Sequence, residues 1–278
     1  MKNTFSIIVA VYNNASKIQN CIDSFVSQNY KSKELIVIDG GSTDGTKEII
    51  ERNASEISYW ESKSDRGIYH AFNKGVQHAS GDFILFLGSD DCFWDSFVLS
   101  KVESRLDMIE ENIRLVYGKV AIVSPNDKIL QIGNNSWEKS KRLFYQYCNI
   151  YHQGVFHRRD MFSNNSYFDE SFKIAGDYDL MLRELRIRDA YFLSDIEVSR
   201  MQIGGVSSSP KKYIETYREF YRARNKNLVK GFPYILFYFI LTAYVRILLI
   251  NVLGESNSDK LADVYRRITR RPSLWTNF

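Results

Sequence analysis

The chain has 278 residues, 44% hydrophobic and 25% charged, with 37 Lys/Arg against 33 Asp/Glu and a net charge of +4. This is an ordinary globular composition, enough for one large α/β domain or one domain plus an appendage. It excludes a fibrous, low-complexity or disulfide-stapled chain: no useful repeat is visible, and Cys21, Cys92 and Cys148 are few, odd in number and outside metal-type spacing.

Such cysteine usage suits a reducing compartment, and the cytosol is expected. Met1 to Thr4 leads straight into a strand-like run, so no signal peptide is expected. Phe5 to Val11 reads as a first buried strand. Ser16 offers an N-cap, and Ile18, Cys21, Ile22, Phe25 and Val26 follow at helical spacing. Glu34 to Asp39 is a second strand, Gly40 to Thr46 a turn, and Thr46 to Arg52 a helix. Ile57 to Glu61 is a short strand, Ile68 to His78 a helix, and Phe83 to Leu87 a strand buried on both faces. Alternation at these lengths predicts βαβ units and a mostly parallel sheet with helices on both faces. Asp95 to Met108 reads as a further helix. Leu115 to Val123 and Lys128 to Ile132 form a β-ribbon, and residues 133–149 a looser aromatic stretch. Tyr151 to His157 is a short strand, Tyr178 to Arg188 a helix, and Tyr191 to Ser194 a closing strand. Arg200 to Ser209 is a mobile Gly/Ser-rich loop, and Pro210 opens a basic helix to about Leu228.

Polar residues gather where the strands end: Tyr12, Asn13 and Asn14; Asp39; Asp65 and Arg66; Asp90 and Asp91. Ligands of open α/β sheets lie at those carboxyl ends. Two adjacent carboxylates after Gly88 and Ser89 repel unless a cation holds them, and oxygen ligands suit Mg²⁺ or Mn²⁺ beside a diphosphate. Asp91 to Ser96 reads equally well, taken alone, as a helix start. No Gly-x-Gly-x-x-Gly follows the first strand and no Gly-Lys-Ser/Thr loop occurs, which weakens dinucleotide and P-loop readings.

The charge is uneven. From Pro210 onward the chain holds 13 Lys/Arg and 5 Asp/Glu, a net +8, which leaves −4 on the preceding residues. Phe232 to Leu253 contains one charge, Arg246, and as a helix would extend ~33 Å, enough to cross a bilayer. Arg246 would be costly at mid-depth. The flanks, Arg218, Arg222, Arg224, Lys226 and Lys230 on one side and Arg266, Arg267, Arg270 and Arg271 on the other, suit anionic headgroups. The favoured reading is a helix or helical hairpin lying in the inner-leaflet interface. A packing or oligomer helix and a true span stand beside it. The division expected is residues 1–209 as one domain and 210–278 as a basic, hydrophobic appendage, with an anionic membrane rather than nucleic acid as partner.

Residues 4–210 resemble family-2 glycosyltransferases of the GT-A fold, a Rossmann-like nucleotide-diphospho-sugar transferase architecture. The likeness lies in Ser6 to Asn13, Leu35 to Thr46, Ser64 to Gly75, Phe86 to Asp91, His152-Gln153 and Gly176 to Leu180, in that order. Within the family the chain is similar to bacterial O-antigen or exopolysaccharide transferases. The resemblance implies that Val11 and Tyr12 meet the nucleotide and Asp39 the base, commonly uracil. Asp65, Arg66 and Gly67 would line the diphosphate and sugar, with Asn73 and Lys74 supporting and Ser89 and Asp90 completing the donor side. Asp90, with Asp91 beside it, would hold Mn²⁺ or Mg²⁺. His152, Gln153 and Asp179 would lie on the acceptor side, and Asp177 would be the general base. The activity implied is metal-dependent hexosyl or hexosaminyl transfer with inversion, one sugar at a time, from a nucleotide-sugar, UDP-linked, to a lipid-linked saccharide at the cytoplasmic face of the inner membrane.

The sequence departs from the family pattern at Gly88 and Gly176, where acids are common, and at His70, where Asp is common. A Gln-x-x-Arg-Trp motif is absent, which argues against a processive synthase. Two rivals stay open: an inactive nucleotide-sugar-binding or scaffold subunit, and a nucleotidyltransferase. Plainer readings stand beside single residues. Asp39 can be a turn acid, Asp177 an N-cap and His152 a core histidine. His157 is expected in a solvated turn and His78 at the surface, while Trp60 or Trp137 could stack on a sugar.

Overall fold

The computed structural model describes residues 2–124, 126–202 and 210–268. Its first half alternates as expected: β1 (Phe5–Val11), α1 (Ala15–Val26), β2 (Lys33–Asp39), α2 (Thr46–Arg52), β3 (Tyr59–Ser62), α3 (Ile68–His78) and β4 (Phe83–Gly88). All seven residues of β1 are buried, because β2 and β4 flank it and helices cover both faces. The period of two divides its side chains between two cores. Ile8 and Ala10 join Ile36, Ile38, Ile84 and Phe86 under α3. Ile7, Val9 and Val11 join Leu35, Val37, Leu85 and Leu87 under α1. Each such side chain contributes roughly 1.5–3 kcal/mol of burial, so the paired layers hold the site's scaffold rigid.

The chain continues through β5 (Cys92–Phe93), α4 (Val98–Leu106), β6 (Leu115–Val123), β7 (Ile129–Gly133), α5 (Trp137–Phe144), β8 (Val155–Arg158), α6 (Gly176–Leu185) and β9 (Tyr191–Gln202). One nine-stranded sheet results, ordered β3-β2-β1-β4-β8-β6-β9-β5, with β7 on β6. It is mixed rather than mostly parallel. Pairings among β1 to β4 and between β6 and β9 are parallel, whereas β8 runs against β4 and β6, β7 against β6, and β5 against β9. A strand as short as the four residues Val155–Arg158 reads alike in either direction, so its pattern could not reveal the reversal.

Other expectations shift for local reasons. α1 starts at Ala15, so Ser16 lies inside its first turn, and Asn14 takes the cap position. Asp91 starts no helix, because Cys92 and Phe93 pair with β9 and α4 begins only at Val98. The looser stretch holds α5, whose Trp137 and Phe144, seven residues apart, are buried. Trp137 donates to Asp189 from the core (2.7 Å) and is not a sugar platform. Arg200 to Gln202 belong to β9, and the rest of the expected loop, 203–209, lies outside the described residues.

Beyond them come α7 (Pro210–Lys226), α8 (Tyr234–Leu253) and α9 (Glu255–Ile268). Arg266 and Arg267 end α9, while Arg270 and Arg271 lie outside the described residues. α8 is flanked along its length by polar helices. α7 meets its first half through Tyr217 on Phe239 (5.6 Å between rings) and Arg218 on the Tyr244 hydroxyl (3.3 Å). α9 folds back on the second half through Arg246 and Asp259 (2.7 Å).

The core contains an unexpected pair. His157 is wholly buried rather than in a solvated turn, and its Nε2 lies 2.9 Å from that of His152. Phe86 stacks on His152, so these rings fill the layer under α3. Burial pulls His152 down to about 3 and His157 well below its ordinary value, with His152 adding to the latter. Unfolded, each imidazole titrates near 6.5 and binds a proton that the folded state refuses, so stability is full above about 6.5 and falls as the pH drops toward 3. Urea unfolding at pH 7 and pH 5 should show a loss of roughly 2 kcal/mol per imidazole. A His157→Leu variant should show a shallower slope, and a flat wild-type profile would contradict the neutral pair.

Candidate active site

Parallel register brings three strand ends level: Val11 opposite Asp39, and Ala10 opposite Gly88. The loops that follow are knitted together. Asn13, at φ +48°, accepts from the Thr43 amide, and its own amide donates to Ser42 Oγ (2.7 Å). Asn14 donates from Nδ2 to Ser89 Oγ (2.7 Å), which ties the β1 loop to the end of β4. Asp39 is fully buried, and its carboxylate accepts from the Ser42 amide and from the hydroxyls of Ser42 and Ser62. Tyr12 stands 66% exposed above an open pocket of about 280 Å³, lined also by Gly40, Gly41, Ser64 and Asp65.

From Asp65 the chain enters α3. Asp65 Oδ1 accepts from the Gly67 amide (2.9 Å) as the backbone turns at Gly67. Arg66 is held by Glu170 through Nε and Nη2. Two of the expected supporting residues are engaged elsewhere. Asn73 is buried and binds both backbone groups of Phe168 and the Glu170 carboxylate. Lys74 pairs with Glu61 of β3 at 2.8 Å. Both secure α3 to its neighbours rather than reaching the pocket.

At the end of β4 the carboxylates divide. Asp90 is half-exposed, whereas Asp91 turns inward and is buried. Asp91 accepts from the Gly88 amide (2.8 Å) and from Gln153. Burial first and Asp90's charge second push the Asp91 carboxyl well above the usual range, against those two hydrogen bonds. A Cβ on Gly88 would lie 2.9 Å from Asp90 Oδ1 and 3.0 Å from Asp91 Oδ2, so the carboxylates fold over a bare backbone. Among the described residues no three His, Cys, Asp or Glu side chains converge on a metal position. The donor set fits a hard divalent ion that takes one protein carboxylate, Asp90, and fills its shell with phosphate and water.

Asp177 lies in the first turn of α6 and is half-buried. Burial pushes its carboxyl up to about 6, against hydrogen bonds from the Tyr178 amide and the Tyr69 hydroxyl. Tyr69 Oη lies 3.4 Å from Asp177 Oδ1 and donates to the Ile174 carbonyl. A Cβ on Gly176 would fall 2.8 Å from the Tyr69 ring, so glycine lets that ring lie against the helix start. The first turn of α3 thus joins the Asp65–Gly67 loop to Asp177.

The expected acceptor side divides differently. Asp179 is fully buried and binds Lys226 (2.9 Å) and Asn227 (2.8 Å), so it fastens α6 to α7 and does not face a ligand. His152 belongs to the core pair. Gln153 is half-exposed, with its side chain beside Asp91. The sequence reading gave no role to Tyr69, Glu170 or Glu219. Tyr69 sat inside a quoted motif, so a signal existed. Glu170 and Glu219 act on residues 104 and 44–46 positions away, which no local pattern reveals.

The glycosyl transferase family 2 profile matches residues 6–166, more than half of the chain, and ends before Asp177. A PGL/p-HBAD biosynthesis glycosyltransferase of Mycobacterium bovis is 33% identical over 182 residues, covering 64% of this chain and 68% of that protein. An uncharacterised glycosyltransferase of Rickettsia typhi is 27% identical over 240 residues, 82% of this chain and 75% of that one. Among solved structures, the Pyrobaculum calidifontis mannosyltransferase in complex with GDP-Man and Mn²⁺ superposes with a TM-score of 0.65 at 15% identity, over 97% of this chain and 81% of its own. S. aureus TarS 1-349 in complex with UDP-GlcNAc gives 0.62 at 19% identity, over 91% and 76%. The chain spans 42% of the longer TarS chain. The signatures at the strand ends, the mixed α/β architecture and the profile match agree: this chain belongs to glycosyl transferase family 2 and has the GT-A fold.

Proposed function

We propose that the enzyme transfers one sugar, with inversion, from a UDP-sugar to a hydroxyl of a lipid-linked saccharide in bacterial surface-polysaccharide synthesis. The observation that carries this reading is Asp177, a half-buried carboxyl at about 6, joined through Tyr69 to the helix that begins at the Asp65–Gly67 loop. A base of that acidity is ionised at neutral pH and strong enough to take a proton from an attacking hydroxyl. In this reading Val11 and Tyr12 cover the nucleotide, Asp39 meets the base with Ser42 and Ser62, and Asp65, Arg66, Gly67 and Ser89 border the diphosphate and sugar. Asp90, backed by Asp91, would hold Mn²⁺ or Mg²⁺, which when bound offsets charge on the departing diphosphate. Attack from the side opposite the nucleotide inverts the anomeric centre.

The glycines where acids were expected do not favour the inactive-scaffold rival. Gly88 makes room for two carboxylates and Gly176 for the Tyr69 ring. Family membership also sets the nucleotidyltransferase aside. The UDP assignment is supported by the likeness to TarS in complex with UDP-GlcNAc, and the lipid-linked acceptor by the apolar appendage.

For that appendage we propose an in-plane seat on an anionic inner-leaflet surface. α8 is long and apolar enough to cross a membrane, with mean hydropathy 2.1, yet α7 and α9 run beside it. Both carry charges along their length and cannot follow α8 through hydrocarbon. Phe237, Leu241, Val245, Leu248 and Val252 remain exposed for insertion, and the Arg246–Asp259 pair lowers the cost of Arg246.

Four measurements check these assignments. A UDP-sugar panel followed by thermal shift should show Mn²⁺-dependent stabilisation by one donor that Asp90→Ala loses; no response from folded protein to any nucleotide-sugar would overturn the donor reading. Asp177→Asn should lower kcat by about 10²–10⁴-fold with donor binding kept. Wild-type kcat should fall below about pH 6, as Asp177 gains its proton. The protein should float with anionic vesicles, bind neutral ones weakly, and lose vesicle binding in Leu241→Asp/Leu248→Asp. Wild type that stays unbound to either vesicle would exclude the in-plane seat.

A further inference from the structure

α6 begins at Gly176, and its N-cap residue, Ala175, has no side-chain acceptor to offer the helix start. The segment that leads into it is held from another helix instead. Glu219 of α7 takes the Lys173 amide on Oε1 and the Ile174 and Ala175 amides on Oε2, all at 2.8 Å. Three charge-assisted bonds from one carboxylate fix the backbone two residues before Asp177. The same face of α7 grips the rest of the segment. Arg222 donates to Ser171 Oγ (2.8 Å) and lies 3.7 Å over the Phe172 ring, and Lys226 pairs with Asp169 at 2.8 Å. Residues 219, 222 and 226 share one helix face. Tyr217 and Tyr221, on the opposite face, pack against Phe239 and Phe237 of α8.

We propose that Glu219 is a positioning residue for glycosyl transfer, setting the place of Asp177 by holding from α7 the backbone that enters α6. The inference rests on Asp177 as the base. The titratable groups facing Asp177 are Tyr69 from α3, Cys148 from the segment after α5, and Glu219 from α7. Burial raises Tyr69 and Cys148 well above their ordinary values, so both stay neutral, and Glu219 is the carboxyl group among these neighbours. Burial is the main cause that opposes ionisation of Asp177 and the Glu219 charge a smaller addition, while its amide bonds hold the backbone that leads into Asp177. The helix carrying Glu219 also holds α8, so the base is braced from the same strut that carries the apolar surface.

The test compares Glu219→Gln, Glu219→Asp and Asp177→Asn in the full chain, with a UDP-sugar donor and a water-soluble acceptor analogue. Glu219→Gln keeps the size but loses the charge. Its kcat should fall about tenfold to a hundredfold with donor KM little changed. The acid limb of its kcat profile should move to lower pH, because the charge opposing Asp177 ionisation is gone. Glu219→Asp keeps the charge, so its acid limb should stay at the wild-type position and part of kcat should return. If both Glu219 variants only lose thermal stability, with kcat per folded molecule and the acid limb unmoved, the residue is a structural tie and the proposal falls. Should Glu219→Gln fail to fold, an acid limb in Glu219→Asp that departs from wild type overturns it. Full activity in Asp177→Asn would instead remove the base assignment itself, an outcome separable from either Glu219 result.

Discussion

Parallel pairing of β1 with β2 and β4 is the constraint from which the site follows. It sets Val11 level with Asp39 and Ala10 level with Gly88, so three chain segments leave the sheet at one edge. A slip of one residue would exchange the two buried faces of β1 and place Ile8 where Ile7 packs. Burial on both faces therefore fixes register, and register fixes which polar residues share the edge. The hydrogen bonds between loops, Asn13 with Thr43 and Asn14 with Ser89, then hold segments 30 and 75 positions apart in one surface.

That half of the molecule was readable because each strand is apolar and each helix bounded by turn residues. The limits of α2, α3 and β1 agree with the pattern, and the strand-end acids came with them. The second half resisted for physical reasons. Short buried runs such as Val155–Arg158 carry no direction, and the buried face of α5 reduces to Trp137, Ser140 and Phe144 between charged residues. The site showed the same division. Residue types at strand ends marked where a donor would lie, but not which side chains were already engaged. Asn73, Lys74 and Asp179 have the chemistry of ligand-binding residues, and each is used by a partner on another element of the fold.

The two glycines that depart from the family pattern have a common cause. Each lies where a polar or aromatic group approaches the backbone too closely for a side chain. At Gly88 the approaching groups are the carboxylates of Asp90 and Asp91, so an acid added there would crowd the acids that remain. At Gly176 it is Tyr69, whose hydroxyl approaches Asp177. Missing an acid at either position therefore does not amount to losing function. It exchanges one carboxylate for a closer packing of the neighbouring group.

The C-terminal helices continue this logic outward. Glu219, Arg222 and Lys226 grip residues 169–175, while Tyr217 and Tyr221 hold α8. Asp179 adds a buried tie from α6 to Lys226 and Asn227 at the end of α7. Asp179 is fully buried, so removing Lys226 or Asn227 would leave its carboxylate short of partners. α7 therefore cannot move far from α6 without large cost, and it cannot leave α8 without exposing aromatic surface. A lipid surface bound to α8 would act on a helix already coupled to the α6 start. In such an arrangement the surface that α8 meets and the backbone that carries Asp177 would share one mechanical reference.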